Sequence, residues 1–375
     1  PEVCTWLCPV EQQCQGSCLQ GFIGDGALPI AGIQRYLAEQ ANKNGWSRLN
    51  IPEKSTGKKI DVIGAGPAGI AATAKLLEFG HIVTIFDKNE DFGGMITSVI
   101  PLDRGKMTLQ KELAAIFSDV PECRLIFKRG TQLNEQLNLD NVIAKGFDAV
   151  FIGIGLSEAI RVSGEKVAGV EDALTFLQKA KSQELDFTGK RVAVIGGGNA
   201  AMDAAVTAKR CGACDVYLIY RRSFEQMPAW KNECDRALGE GVHFQILTQQ
   251  LGYTTKDNKL TGIKLCPTKL GTPDESGRRK PLPVENSCYE LEFDLVIEAI
   301  GQRASANLKK VLPGIEIRSG LIMTKKDSYM TSRRGVFAGG DIIRGPSTVV
   351  RAVADGMQGA IEIHEYLKDK PPDER

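Results

Sequence analysis

Twice in this chain a short apolar strand runs straight into a glycine-rich turn and a helix, and that repetition constrains the fold more than any other feature. The first copy is Lys59-Ile-Asp-Val-Ile63 followed by Gly64-Ala-Gly66-Pro67-Ala68-Gly69, a helical stretch to Phe79-Gly80, and a strand over 81–86 that ends at Asp87. The second is Arg191-Val-Ala-Val-Ile195, then Gly196-Gly-Gly198-Asn199-Ala200-Ala201, a helix to about Arg210 and a strand over 215–220. A helix between two strands returns the chain to its starting edge, so each copy requires parallel strands. The expected fold is α/β, with two Rossmann-like nucleotide-binding domains.

In each turn the glycines serve different ends. The first (Gly64, Gly196) makes the tight turn and the second (Gly66, Gly198) lets backbone approach a pyrophosphate. The third position (Gly69, Ala201) lets helix pack on strand. The helix N-terminus turns its partial positive charge toward the phosphates. Asp87, with Lys88 beside it, is placed to meet a ribose diol.

Later strands also end in glycine: 149–153 with Gly155 beyond it, 295–301 ending at Gly301, and Val336-Phe-Ala-Gly-Gly340-Asp341. The last returns the chain to the first nucleotide unit, so one domain is expected inside another. The boundaries read as 1–45 for a cysteine-rich helical segment, 46–160 and 301–375 for the first nucleotide domain, and 161–300 for the inserted one. Gly340-Asp341 and a helix beginning near Ser347, Thr348 and Val349 select FAD for the first site. A strand-end acid can hold the ribityl or pyrophosphate portion, and the helix points at the isoalloxazine. Gly93, Gly94 and Met95, just after Asp87, allow close approach of the flavin. In the second unit the corresponding strand ends in Tyr220-Arg221-Arg222, without a carboxylate. Two guanidinium forks there match the 2′-phosphate of NADP(H).

Composition narrows the partners. The 375 residues carry 47 Lys+Arg against 46 Asp+Glu, a net charge of +1, so nothing marks a nucleic-acid or anionic-membrane surface. No apolar run reaches the ~18–20 residues of a membrane helix, so membrane insertion is not expected. Cys4, Cys8, Cys14 and Cys18 cluster at the start, with Pro9 after Cys8, while the other six cysteines are scattered. That usage suits a reducing cytoplasm with one metal site better than a disulfide scaffold. The C-x3-C-x5-C-x3-C spacing leaves a [4Fe–4S] cluster, zinc and unliganded thiols as readings, and favours the cluster. Cys211-Gly-Ala-Cys214 has the spacing of a redox dithiol, but it lies in the turn after the second nucleotide-binding helix, where it reads as incidental. His81, His243 and His364 stand alone, Glu298 reads as a partnered core acid, and 253–264 as a hairpin.

Taken in order, 3–18, 64–69, 93–94, 196–203, 220–222 with Met227-Pro228, 299–302 and 336–350 resemble the glutamate synthase small-subunit family, which includes the flavin half of dihydropyrimidine dehydrogenase. The resemblance implies a helical Fe–S segment, a two-part FAD domain and an inserted NADP domain. It also implies Cys8, Cys14 and Gln34 as ligands of one [4Fe–4S] cluster and Cys18 of another, with Cys4 at a motif position that is not a ligand there. An upstream cysteine group usual in the family is missing from this sequence, and 95–101 lacks the family's aromatic, Gly-rich stretch. The expected activity is that of an FAD-dependent NADPH oxidoreductase module. It feeds a protein partner such as a glutamate synthase large subunit. The alternatives are an NADP(H)-handling subunit of another multisubunit or bifurcating complex, and a non-catalytic assembly subunit.

Overall fold

The computed structural model describes residues 2–24, 26–101, 108–162, 167–273 and 277–368; the side chains of Glu2, Cys4 and Thr108 also lie outside that description. The chain divides into two compact units. One comprises Pro1–Ser98, Leu102–Glu158 and Arg303–Arg375, and the other Val99–Pro101 and Ala159–Gln302.

In the first unit five parallel strands lie in the order Val336–Ala338, Ala149–Ile152, Lys59–Ile63, Ile82–Phe86, Leu125–Lys128. The central strands are apolar on both faces because helices cover both. Ile60, Val62, Ile85, Phe151 and Phe337 are all fully buried. The helix Pro67–Glu78 begins directly at the first turn, with Pro67 in its first helical turn where no N–H is needed. The long helix Val349–Lys368 lies against it so closely that a Cβ on Gly356 would strike the carbonyl of Ala68. Small residues at this crossing therefore set how near the C-terminal part of the unit comes to the first turn.

Asp61 breaks the apolar rule of the central strand. It is fully buried between Thr84 and Val150 in register, and among the described residues neither carboxylate oxygen has a hydrogen-bond partner. Burial pushes its pKa from 3.8 to about 8, against a weaker downward pull from Lys145. The folded protein therefore holds a proton that the unfolded chain releases above pH 3.8. Stability falls as pH rises through the window from about 4 to 8 and flattens beyond it. We expect this group to cost about 2–4 kcal/mol between pH 5 and pH 8. Denaturation of Asp61→Ala at the two pH values should show that loss removed; an unchanged pH slope would contradict it.

The second unit holds another parallel sheet, ordered Val170–Asp172, Leu295–Glu298, Arg191–Ile195, Asp215–Ile219, His243–Gln245. An antiparallel sheet accompanies it: Thr248–Lys256, Lys259–Pro273 and Arg279–Pro283 in order, with Tyr289–Glu292 also paired to Lys259–Pro273. The hairpin turn is made by Asp257 and Asn258, both left-handed with φ of 51° and 58°, as a two-residue hairpin loop requires. Ile195, Ile219, Ile263, Leu265, Phe293 and Val296 form the core shared by the two sheets. Two of the scattered cysteines depart from the expectation of separate thiols, because Cys266 and Cys288 form a disulfide within this antiparallel layer.

The N-terminal segment contributes the helices Glu2–Leu7, Leu19–Ile23 and Ile30–Lys43. Arg35 ties the first to the third, lying 3.5 Å over the Trp6 ring and donating to the Thr5 carbonyl at 3.1 Å.

Candidate functional site

The first glycine turn leaves the carboxyl end of Lys59–Ile63 and enters the helix Pro67–Glu78. Gly64 has φ of +104°, and a Cβ there would lie 2.5 Å from the Gly153 carbonyl oxygen. Gly69 is equally confined, because a Cβ would strike the Gly64 carbonyl. Among the described residues, nothing lies within 4 Å of where a Cβ on Gly66, the N-cap of the helix, would be. A glycine at relaxed φ beside open space has no packing reason to lack a side chain. It fits a backbone that an extended ligand must approach closely.

Of the residues expected around this turn, Asp87, Gly93, Gly94 and Gly340 lie beside it. Gly93 donates its N–H to the Ala65 carbonyl at 2.8 Å, and a Cβ on Gly94 would be 3.0 Å from Gly66 Cα; Met95 then opens the short helix Met95–Ser98. Asp87 is buried, accepting from the Ala65 N–H at 2.6 Å and the Asn89 N–H at 2.8 Å, while Lys88 is exposed. Gly155, with φ of +60°, also has an empty Cβ direction. Gly340 meets Ala68 in the first turn of the helix, its Cβ position 3.1 Å from that of Ala68. Asp341 accepts from the Ser347 N–H (3.1 Å) and hydroxyl (2.9 Å), and burial raises its pKa. The Thr348 carbonyl accepts the first N–H bonds of the helix Val349–Lys368, from Arg351 and Ala352.

One residue here escaped the sequence reading. Asp355 is buried and accepts from Arg344 through Nε and Nη2, both at 2.7 Å, from the Tyr329 hydroxyl at 2.9 Å and from the Gly340 N–H at 3.0 Å. Burial opposes its charge, but these donors outweigh that and hold the carboxyl below its ordinary pKa. Asp355 fixes the Gly340 turn. The available signal was its place on the buried stripe Ala352, Asp355, Gly356, Gly359, Ile363.

In the second unit the same logic recurs. Gly196 has φ of +146° and no room for a Cβ beside the Ala299 carbonyl, and Gly197 lies under the Tyr220 ring. Gly198, the N-cap of Asn199–Arg210, faces open space, and Ala201 is fully buried. The Asn199 side chain accepts from the Trp230 N–H at 3.0 Å, Ala200 follows half-buried, and Gly301 accepts from the Ile160 N–H at 3.0 Å. Arg221 is exposed and Arg222 half-buried. The Arg221 carbonyl accepts from the Thr268 hydroxyl at 2.8 Å and the Arg222 carbonyl from the Leu247 N–H at 3.0 Å. Glu298 is a partnered core acid, accepting from the Tyr253 hydroxyl at 2.5 Å and the Val162 N–H at 2.9 Å; burial, then this bond, raises the Tyr253 pKa.

The cysteine segment is less complete. Cys8 and Cys18 are half-buried and Cys14 exposed; Gln34 is exposed, and the Cys4 side chain lies outside the described residues. Among the described residues no three His, Cys, Asp or Glu side chains come together to hold a metal ion. Cys211 and Cys214 sit at the amino end of the Asp215–Ile219 strand, opposite the glycine turn, so no redox role follows for them. His81 and His364 are not isolated: their ring nitrogens lie 3.0 Å apart, with Thr56 on the other His81 nitrogen at 2.7 Å. Burial, then His364, lowers the His81 pKa to about 4, and the pair sits at the amino end of Ile82–Phe86, away from the turns.

Residues 58–356 match the pyridine nucleotide-disulphide oxidoreductase family, and residues 1–46 match the 4Fe-4S cluster domain II of dihydropyrimidine dehydrogenase. The chain is 36% identical to the glutamate synthase [NADPH] small chain of Escherichia coli strain K12, over 98% of this chain and 81% of that one. The chain belongs to the glutamate synthase small-subunit family. It is 35% identical to the beta subunit of the NADP(+)-dependent formate dehydrogenase of Moorella thermoacetica, over 95% of this chain but 53% of that longer one. Among solved structures, Mycobacterium tuberculosis FprA in complex with NADPH superposes with a TM-score of 0.70 at 19% identity, covering 84% of this chain and 85% of FprA, a likeness of fold. This family member is an NADPH-dependent flavin oxidoreductase with a 4Fe–4S segment at its start.

Proposed function

We propose that this chain takes reducing equivalents from NADPH into FAD and serves a redox partner subunit. The observation that carries the reading is the pair of middle glycines, Gly66 and Gly198, each at relaxed φ on a helix N-cap and each facing open space. The FAD domain is assigned to 46–160 and 301–375, the NADP domain to 161–300 and the cluster segment to 1–45. FAD and NADPH, when bound, supply hydride transfer between nicotinamide and flavin, so the protein needs no general acid or base. Its own residues bind and orient. Gly64, Gly66, Pro67, Ala68 and Gly69 present backbone to the FAD pyrophosphate, Asp87 the ribose contact, and Gly93, Gly94, Gly340 and Asp341 close backbone around the flavin. The N-terminus near Ser347, Thr348 and Val349 is placed to favour negative charge on a reduced flavin. Gly196, Gly198, Asn199, Ala200 and Ala201 hold the second pyrophosphate, and Arg221 and Arg222 the 2′-phosphate.

Cys8, Cys14, Cys18 and Gln34 are the ligand candidates of the N-terminal segment and need further ligands to complete a cluster. Beside them Leu19, Phe22 and Ile23 are 73–81% exposed, and Ile33, Tyr36 and Leu37 are exposed on the next helix. This apolar face supports a protein partner docking next to the cluster segment. The likeness to a formate dehydrogenase beta subunit keeps open a second reading, an NADP(H)-handling subunit of a different complex. Among the described residues no helix is long and apolar enough to cross a membrane, and we place the protein in the cytoplasm. The test is anaerobic reduction of the bound flavin: NADPH bleaches its visible band, and NADH does so far more slowly.

A further inference from the structure

We propose that Arg279, on the antiparallel sheet of the second unit, is a further specificity-determining residue, completing a three-arginine site for the 2′-phosphate. The proposal rests on the NADPH reading above. Arg222 donates Nε to the backbone carbonyl of Arg279 at 2.8 Å, and Arg279 donates its own Nε to the Gly271 carbonyl at 3.0 Å. Both guanidinium groups are thus anchored by one nitrogen to the backbone of the 259–283 hairpin. Among the described residues neither terminal nitrogen pair has a hydrogen-bond partner. Nor does Arg221, Arg222 or Arg279 form an ion pair with a carboxylate there.

Surface arginines ordinarily find carboxylates, and these, anchored through Nε with their forks left open, do not. A dianion bound at this strand end would occupy the free forks in the geometry a phosphate prefers. The hairpin is also tied to the end of the Asp215–Ile219 strand, because the Thr268 hydroxyl donates to the Arg221 carbonyl at 2.8 Å. The third cation therefore does not depend on a floating loop. Lys280 neighbours Arg279 in the Arg279–Pro283 strand, so its side chain leaves the opposite face. It is the internal control for nonspecific charge.

The experiment is calorimetric titration of the flavin-loaded full chain with 2′,5′-ADP and with 5′-AMP, which differ only in the 2′-phosphate. Wild type prefers 2′,5′-ADP. Arg279→Ala weakens 2′,5′-ADP binding about tenfold and leaves 5′-AMP binding within about twofold, Arg279→Lys recovers part of the loss, and Lys280→Ala changes neither. Retained 5′-AMP binding shows that the variant is folded. If wild type prefers 2′,5′-ADP but Arg279→Ala keeps that preference, or loses both ligands equally, the role of Arg279 is overturned and the NADPH reading stands. If wild type shows no preference, the NADPH reading falls and this proposal with it.

Discussion

Gly66→Ala should give a folded protein that does not retain FAD, whereas Gly69→Ala should fail to fold stably. The two positions are three residues apart in one turn, and sequence alone treats them as the same motif. The structure separates them. At Gly66 the added methyl meets nothing within 4 Å and φ is −77°, so the apoprotein loses no more than about 1 kcal/mol at this N-cap. On the proposed reading that methyl stands where FAD must lie, and we expect FAD affinity to drop about 100-fold. At Gly69 the methyl strikes the Gly64 carbonyl, and helix and strand must part to admit it. The expected cost is about 3 kcal/mol or more. FAD per folded chain, together with the thermal midpoint of the apoproteins, distinguishes the two. Equal loss of stability in both would show that Gly66 is packed rather than kept open for a ligand.

Asp355→Ala should be the most damaging substitution outside the glycine turns. It deletes the acceptor of two Arg344 bonds, the Tyr329 bond and the Gly340 N–H bond at once. The Asp355 side chain is 3% exposed and that of Arg344 33%, so the stranded guanidinium regains part of its hydration and the cost sits near the lower end of the about 3–5 kcal/mol for a broken buried pair. Because Asp355 titrates below its ordinary value when folded, its contribution is present above pH ~4 and is lost as pH falls below that. Replacing both partners with apolar residues, Asp355→Leu with Arg344→Met, should recover at least half of the stability. It should not recover flavin retention, since the Gly340 N–H is still without its anchor. Urea denaturation and FAD content measure the two effects, and full recovery of FAD binding in the double variant would remove Asp355 from the flavin site.

Much of this was legible in the chain. The strands at 59–63 and 191–195 lie where their apolar runs begin and end, and the helix at 199–210 stops where expected. Parallel strands buried on both faces leave uninterrupted apolar runs, and a glycine turn marks each end. Less was visible in the antiparallel layer. The hairpin over 253–264 was recognised, but Lys259–Pro273 runs on through Pro267 and Pro273, residues that read as breakers. Arg279 was missed for the same reason: its carbonyl contact with Arg222 links residues 57 apart, and no local pattern announces such a pairing. Asp355 and Asp61 are both acids on apolar faces, yet one is saturated with donors and the other has none. Periodicity places such a residue inside; only the fold supplies its partners. The disulfide between Cys266 and Cys288 was likewise invisible, since spacing cannot report which strands become neighbours.

The central claim is that two glycine turns serve two different dinucleotides, one of them carrying a 2′-phosphate. The most direct measurement is anaerobic stopped-flow reduction of the flavin in the purified holoprotein, by NADPH and by NADH, in wild type and in Arg221→Ala/Arg222→Ala. NADPH should bleach the flavin with an efficiency about 100-fold above that of NADH, and the double variant should lose this preference while its rate with NADH changes little. Equal rates with the two nucleotides in wild type, or no bleaching by either, would contradict it.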